Sequence, residues 1–178
     1  MMLQRETPVW DIATRVLHWS LVLAYCTSQL TAEEWDTLHE YAGYLVLGLV
    51  TFRVIWGIVG PRNARFSDFV KSPTEIKAHF ANVLSGRHVA EPGHNPAGGA
   101  MVLVLLAWLA LTGITGWLSI TLTGSAAELI EKSHEFLGKY SVLLIALHVA
   151  GVVVMSLVER QDLAKSMIDG KKHLKSDF

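Results

Sequence analysis

Four histidines, His18, His39, His134 and His148, lie in or at the edge of long apolar runs, where an ionisable side chain is costly and most often functional. His134 and His148 are 14 residues apart. At about 100° per residue that spacing falls about 40° short of four full turns, so both rings leave one face of a helix, roughly 21 Å apart along its axis. One metal ion cannot use both rings. Two planar cofactors stacked along the helix can, and each then needs an opposite ligand. His18, near the start of the first apolar run, matches the depth of His148. His39, at the start of the second, matches the depth of His134. Two imidazoles filling both axial positions of a haem iron leave little to rearrange when the iron changes oxidation state, and they suit electron transfer. The sequence therefore predicts an inner haem held by His18 and His148 and an outer haem held by His39 and His134. The chain has one cysteine, Cys26, and no C-x-x-C-H, so these are two haem b groups without covalent attachment.

Depth has meaning only if the runs span a bilayer. The chain has 178 residues, 51% of them hydrophobic and 17% charged, with a net charge of −1. A soluble domain carries about 25% charged residues. Crossing the hydrocarbon core takes about 20 mostly apolar residues, and four segments qualify, over about 12–30, 38–59, 97–120 and 133–158. Arg5 and Arg15 precede the first without a small-residue cleavage site, which reads as an uncleaved first span. The expected fold is all-α: residues 1–178 as a single integral membrane four-helix bundle.

Charge sets the orientation. The connection between the first two spans carries Glu33, Glu34 and Asp36, and that between the last two carries Glu128 and Glu131 against Lys132. The connection between spans two and three carries Arg62, Arg65, Lys71, Lys77 and Arg87, and the tail carries Arg160, Lys165, Lys171, Lys172 and Lys175. Basic segments stay inside, so both termini and the middle connection are expected to be cytoplasmic. This is the pattern of a multi-pass protein of a bacterial inner membrane. In the middle connection, Ser72-Pro73-Thr74-Glu75 is a helix start with a capping box. Ile76, Phe80, Val83 and Leu84 follow on one face, predicting a short amphipathic helix at the membrane surface. Asn95-Pro96 opens the third span.

Other residues support the haem sites. Gly43, Gly138 and Gly151 follow His39, His134 and His148 by about one turn, where a porphyrin must approach the backbone or helices pack closely. Arg15 and Arg53 could pair with propionates of the inner haem and Lys139 with those of the outer; snorkelling to the headgroups is the alternative for each. His79 and His88 are expected to be solvated or interfacial, and His173 lies in the basic tail. His94 is either a turn residue or part of a quinone pocket at the mouth of span three. The acidic outer segments, with Glu40 and Glu135 added, would steer a basic soluble carrier such as a c-type cytochrome.

Arg15-Val16-Leu17-His18-Trp19, Leu38-His39-Glu40-Tyr41-Ala42-Gly43, Phe52-Arg53-Val54-Ile55-Trp56-Gly57, Gly93-His94-Asn95-Pro96 and the stretch from His134 to His148 resemble the bacterial diheme cytochrome b family. That group includes bacterial cytochrome b561 and the membrane b subunits of nickel–iron hydrogenases and formate dehydrogenases. The resemblance covers essentially the whole chain. It implies two haem b groups, a quinone site beside one of them, and electron exchange between the quinone pool and a redox partner, a c-type cytochrome or a periplasmic redox subunit. Membrane lipid is the other expected partner, and nucleic acid is not one. Two further readings are a stand-alone superoxide:quinone oxidoreductase and a haem-free membrane anchor or transporter.

Overall fold

The computed structural model describes residues 4–87, 91 and 93–175. The elements run β1 (Gln4–Pro8), α1 (Ile12–Thr31), α2 (Asp36–Val59), α3 (Phe66–Phe69), α4 (Pro73–Leu84), α5 (Pro96–Thr121), α6 (Ser125–Glu159), α7 (Leu163–Asp169) and β2 (Lys171–Lys175). Among the described residues, α2, α5 and α6 are long and apolar enough to cross a membrane. Thr14, Arg15, Ser20, Thr27, Ser28 and Gln29 keep α1 out of that class. Large apolar side chains such as Ile58, Leu111, Leu143, Val153 and Leu157 are exposed. In a membrane helix this is expected, because hydrocarbon rather than water meets the outer surface and all backbone groups are satisfied within the helix.

Three helices begin within two residues of the positions the sequence predicts, and the fourth does not. α6 begins at Ser125, so Glu128, Glu131 and Lys132 belong to its first turns rather than to a loop. Gly124, at φ +72°, turns the chain directly out of α5, and Ser-Ala-Ala-Glu restarts a helix with an acidic residue in its first turn.

The chain divides into two compact units. The helical unit comprises residues 16–55 and 104–146, and the terminal unit comprises the described residues of 1–15, 56–103 and 147–178. In the helical unit, side chains tie the four helical segments into a ring. Tyr25 on α1 and Ser141 on α6 share a hydrogen bond of 2.8 Å, and Gln29 donates to Ser141 Oγ at 3.3 Å. Trp108 Nε1 on α5 donates to the Leu137 carbonyl on α6 at 2.9 Å. A Cβ built on Gly113 of α5 would lie 3.2 Å from a Leu47 methyl on α2, so small size brings these helices close.

The terminal unit holds what the sequence reading did not anticipate. β1 pairs antiparallel with β2, from Gln4 opposite Lys175 to Pro8 opposite Lys171. α7 is capped by Asp162, which accepts from Lys165 N, and ends at Gly170 with φ +82°. Trp10 Nε1 donates to Ser166 Oγ at 3.2 Å, and the amides of Val9 and Trp10 donate to the Gly170 carbonyl at 2.8 and 3.1 Å. α4 starts as expected: Ser72 and Glu75 form both halves of a capping box. Phe80 and Leu84 are exposed, while His79, read as solvated or interfacial, is only 6% exposed and so packs against the protein. His88 lies outside the described residues.

Candidate functional site

The helical unit brings two of the four histidines together. His39 sits one turn into α2 and His134 in the early part of α6. Their ring centres are 5.9 Å apart, with planes at 72°. Each ring is held from behind by a carbonyl on a neighbouring helix. His39 Nδ1 donates to the Ser28 carbonyl of α1 at 2.8 Å. His134 Nδ1 donates to the Thr112 carbonyl of α5 at 2.9 Å. A carbonyl only accepts, so it fixes the proton on Nδ1 and leaves Nε2 as a lone-pair donor. Orientation of a ligating histidine through its second nitrogen is the usual means of preparing it for metal.

Gly116 makes the second of these contacts possible. It follows Thr112 by one turn on α5, and a Cβ there would stand 2.8 Å from His134 Cε1 and 3.1 Å from Nδ1. Any side chain would push the ring off the Thr112 carbonyl. At Gly43 and Gly138 a Cβ would meet nothing within 4 Å. These glycines lie one turn beyond His39 and His134, so protein atoms leave room beside both rings.

This arrangement fits haem. Metal–imidazole bonds are about 2 Å, so two imidazoles on opposite sides of one iron have ring centres roughly 6 Å apart. Among the described residues no group of three or more His, Cys, Asp or Glu comes together. Two imidazoles alone suit a metal whose remaining donors come from a planar macrocycle.

The other sequence-predicted residues are placed as follows. His18, on α1, is half-buried, its ring centre 5.3 Å from that of Trp19. His148, on α6, is also half-buried. The two fall in different units. Arg53 is 7% exposed and lies 14 residues beyond His39, on the protected stripe of α2 that includes Ala42, Val46 and Val50. Arg15 donates from its guanidinium to the Ile168 carbonyl and lies against Gly170, so it serves the end of α7. Lys139 is exposed on α6, about 140° around the helix from His134. The structure does not bring it to the histidine pair. His94 packs between Trp10 and Phe69, with ring centres 4.6 and 4.5 Å away.

The sequence model of prokaryotic cytochrome b561 matches residues 9–170. The chain belongs to the prokaryotic cytochrome b561 family. This cytochrome is therefore a membrane protein that binds haem b and takes part in electron transfer. Among curated proteins and among solved structures nothing matches it.

Sequence reasoning missed Ser28, Thr112 and Gly116. The first two act through backbone carbonyls, which leave no trace in residue type. Gly116 did leave one, a glycine inside the apolar run of α5, but its neighbour became known only when α6 was placed against it. Among the described residues outside the spanning helices, three charged groups are perturbed. Burial lowers the pKa of Lys172, with Glu159 and Glu91 opposing. The Ser72 hydroxyl and amide lower that of Glu75. Glu6 raises that of Lys171.

Proposed function

We propose that this protein is a diheme cytochrome of four membrane spans that carries electrons between the quinone pool and a redox partner. The supporting observation is the His39–His134 pair: centres 5.9 Å apart, with each Nδ1 bonded to a backbone carbonyl. Haem b supplies a one-electron couple when bound. The chain's residues place it and set its surroundings. His39 and His134 hold the outer group, Ser28 and Thr112 fix the imidazole orientation, and Gly43 and Gly138 leave the porphyrin room. By sequence spacing alone, His18 and His148 are the candidate ligands of a second group. Prior ordering of both ligands lowers the reorganisation that accompanies each electron.

In this reading the basic segments face the cytoplasm of a bacterial inner membrane, and the short acidic ends of α1, α2 and α6 face outward. That outer end, with Glu33, Glu34, Asp36, Glu128 and Glu131, suits a basic soluble partner such as a c-type cytochrome. Quinone exchanges at the opposite end, where His94 stands at the mouth of α5.

The test is haem per chain in purified protein, together with a His148→Leu variant. The expected values are two haems for the wild type and one for the variant, each with a b-type reduced spectrum. A wild type that binds one haem, or a variant that keeps two, rejects the diheme reading.

A further inference from the structure

In the helical unit, His39 and His134 are each oriented by a helix other than their own. The Ser28 carbonyl that holds His39 belongs to α1, and the Thr112 carbonyl that holds His134 belongs to α5. Such a contact is only as well placed as the helix that carries it. A carbonyl displaced by about 1 Å no longer meets hydrogen-bond geometry. Something must therefore fix α1 and α5 against the helices that bear the imidazoles.

α6 does so twice, close to His134. Ser141, about two turns on from His134, is 1% exposed. It donates its one hydroxyl proton to the Gly138 carbonyl at 2.6 Å, so towards other groups its oxygen can only accept. It accepts from Tyr25 Oη at 2.8 Å and from Gln29 Nε2 at 3.3 Å. Both donors lie on α1, Gln29 beside Ser28 in the chain and Tyr25 three residues before it. α5 is fixed by a different bond, from Trp108 Nε1 to the Leu137 carbonyl at 2.9 Å. Trp108 precedes Thr112 by one turn, and Leu137 follows His134 by three residues. Polar groups that satisfy one another inside a packed bundle hold their neighbours rigidly.

We propose that Ser141, Tyr25 and Trp108 are positioning residues of the haem site. Ser141 and Tyr25 brace α1, so that the Ser28 carbonyl stays on His39. Trp108 braces α5, so that the Thr112 carbonyl stays on His134. The inference rests on the reading of His39 and His134 as haem ligands. The two braces share no residue, so each acts on one imidazole. The consequence runs against proximity in sequence: Ser141 shares α6 with His134 yet governs His39.

The experiment uses the haem-loaded full chain as wild type, Ser141→Ala, Tyr25→Phe and Trp108→Phe. In ferric low-spin haem the Nδ1 protons of axial imidazoles carry large paramagnetic shifts in proton NMR. Overhauser contacts to Ser28 or Thr112 tell the two apart. The readout is exchange of each proton with deuterated solvent, with haem content as the check that the site is intact. Loss of one brace bond predicts about tenfold faster exchange at the imidazole it governs and less than about twofold at the other. Ser141→Ala and Tyr25→Phe are expected to act on His39, and Trp108→Phe on His134. Tyr25→Phe carries the test of the α1 brace if Ser141→Ala loses haem. Unchanged exchange at His39 in Tyr25→Phe, or at His134 in Trp108→Phe, overturns the positioning role. Equal acceleration at both imidazoles in any variant is general loosening and overturns the separate braces. A wild type with no shifted Nδ1 proton from His39 or His134 refutes the haem-ligand reading itself, and that outcome is visible before any variant is compared.

Discussion

Replacing Gly43 or Gly138 with alanine separates room left by protein atoms from room kept for a porphyrin. A Cβ at either position meets nothing within 4 Å. In the haem-free protein each change should therefore stabilise its helix by about 0.5–1 kcal/mol, the usual difference between glycine and alanine in a helix interior. If the porphyrin lies beside His39 and His134, the same methyl group intrudes on it. Overpacking of that kind costs about 1–3 kcal/mol, which weakens haem binding about 5- to 150-fold. The two effects have opposite signs, which an ordinary packing defect would not produce. The assay is titration of haem-free protein with limiting haemin, paired with the denaturant midpoint of the haem-free form. Gly116→Ala is the control: its Cβ would sit 2.8 Å from His134 Cε1, so both haem affinity and haem-free stability should fall. If both Gly43→Ala and Gly138→Ala bind the outer haem with wild-type affinity, the open side of the rings is not the porphyrin side.

Three further outcomes follow from the same contacts. Ser141→Ala removes the shared partner of Tyr25 and Gln29 and should cost about 1–3 kcal/mol of stability, measured by denaturant unfolding in detergent. Trp108→Phe deletes the donor to the Leu137 carbonyl and should destabilise by about 1 kcal/mol while leaving haem content unchanged. The Glu75 carboxylate is held below its ordinary value by Ser72. Its contribution to α4 should therefore be fully present above pH 4.5, the ordinary value, and be lost as pH falls through the lowered one. Amide exchange in the first turn of α4, followed against pH, checks this, and Glu75→Gln should flatten the profile.

The long helices were legible in composition, and the nearness of the His39 and His134 rings, with centres 5.9 Å apart, in their matching depths along those helices. Ser72, Pro73 and Glu75 gave the start of α4, since a capping box is written in adjacent residues. The terminal unit was not legible in the same way. β1 and β2 are rich in charge and lack the alternation that marks a strand, and they pair across nearly the full length of the chain. The buried state of His79 and Lys172 depends on contacts distant in sequence. α6 began early because Glu128, Glu131 and Lys132, which read as a polar loop, are also good helix formers. Arg15 looked like a propionate partner because it precedes His18 by three residues, but its guanidinium bonds the end of α7, an element the sequence reading did not place.

Central to the proposed function is that His39 and His134 would serve one iron. Haem per chain in His39→Leu, His134→Leu and the double variant tests this directly. One shared site predicts the same loss in all three: a single haem gone, the same spectral component missing, and no further loss on combining the changes. Independent losses that add in the double variant, or single variants that retain every haem, would show that the two imidazoles do not share a metal.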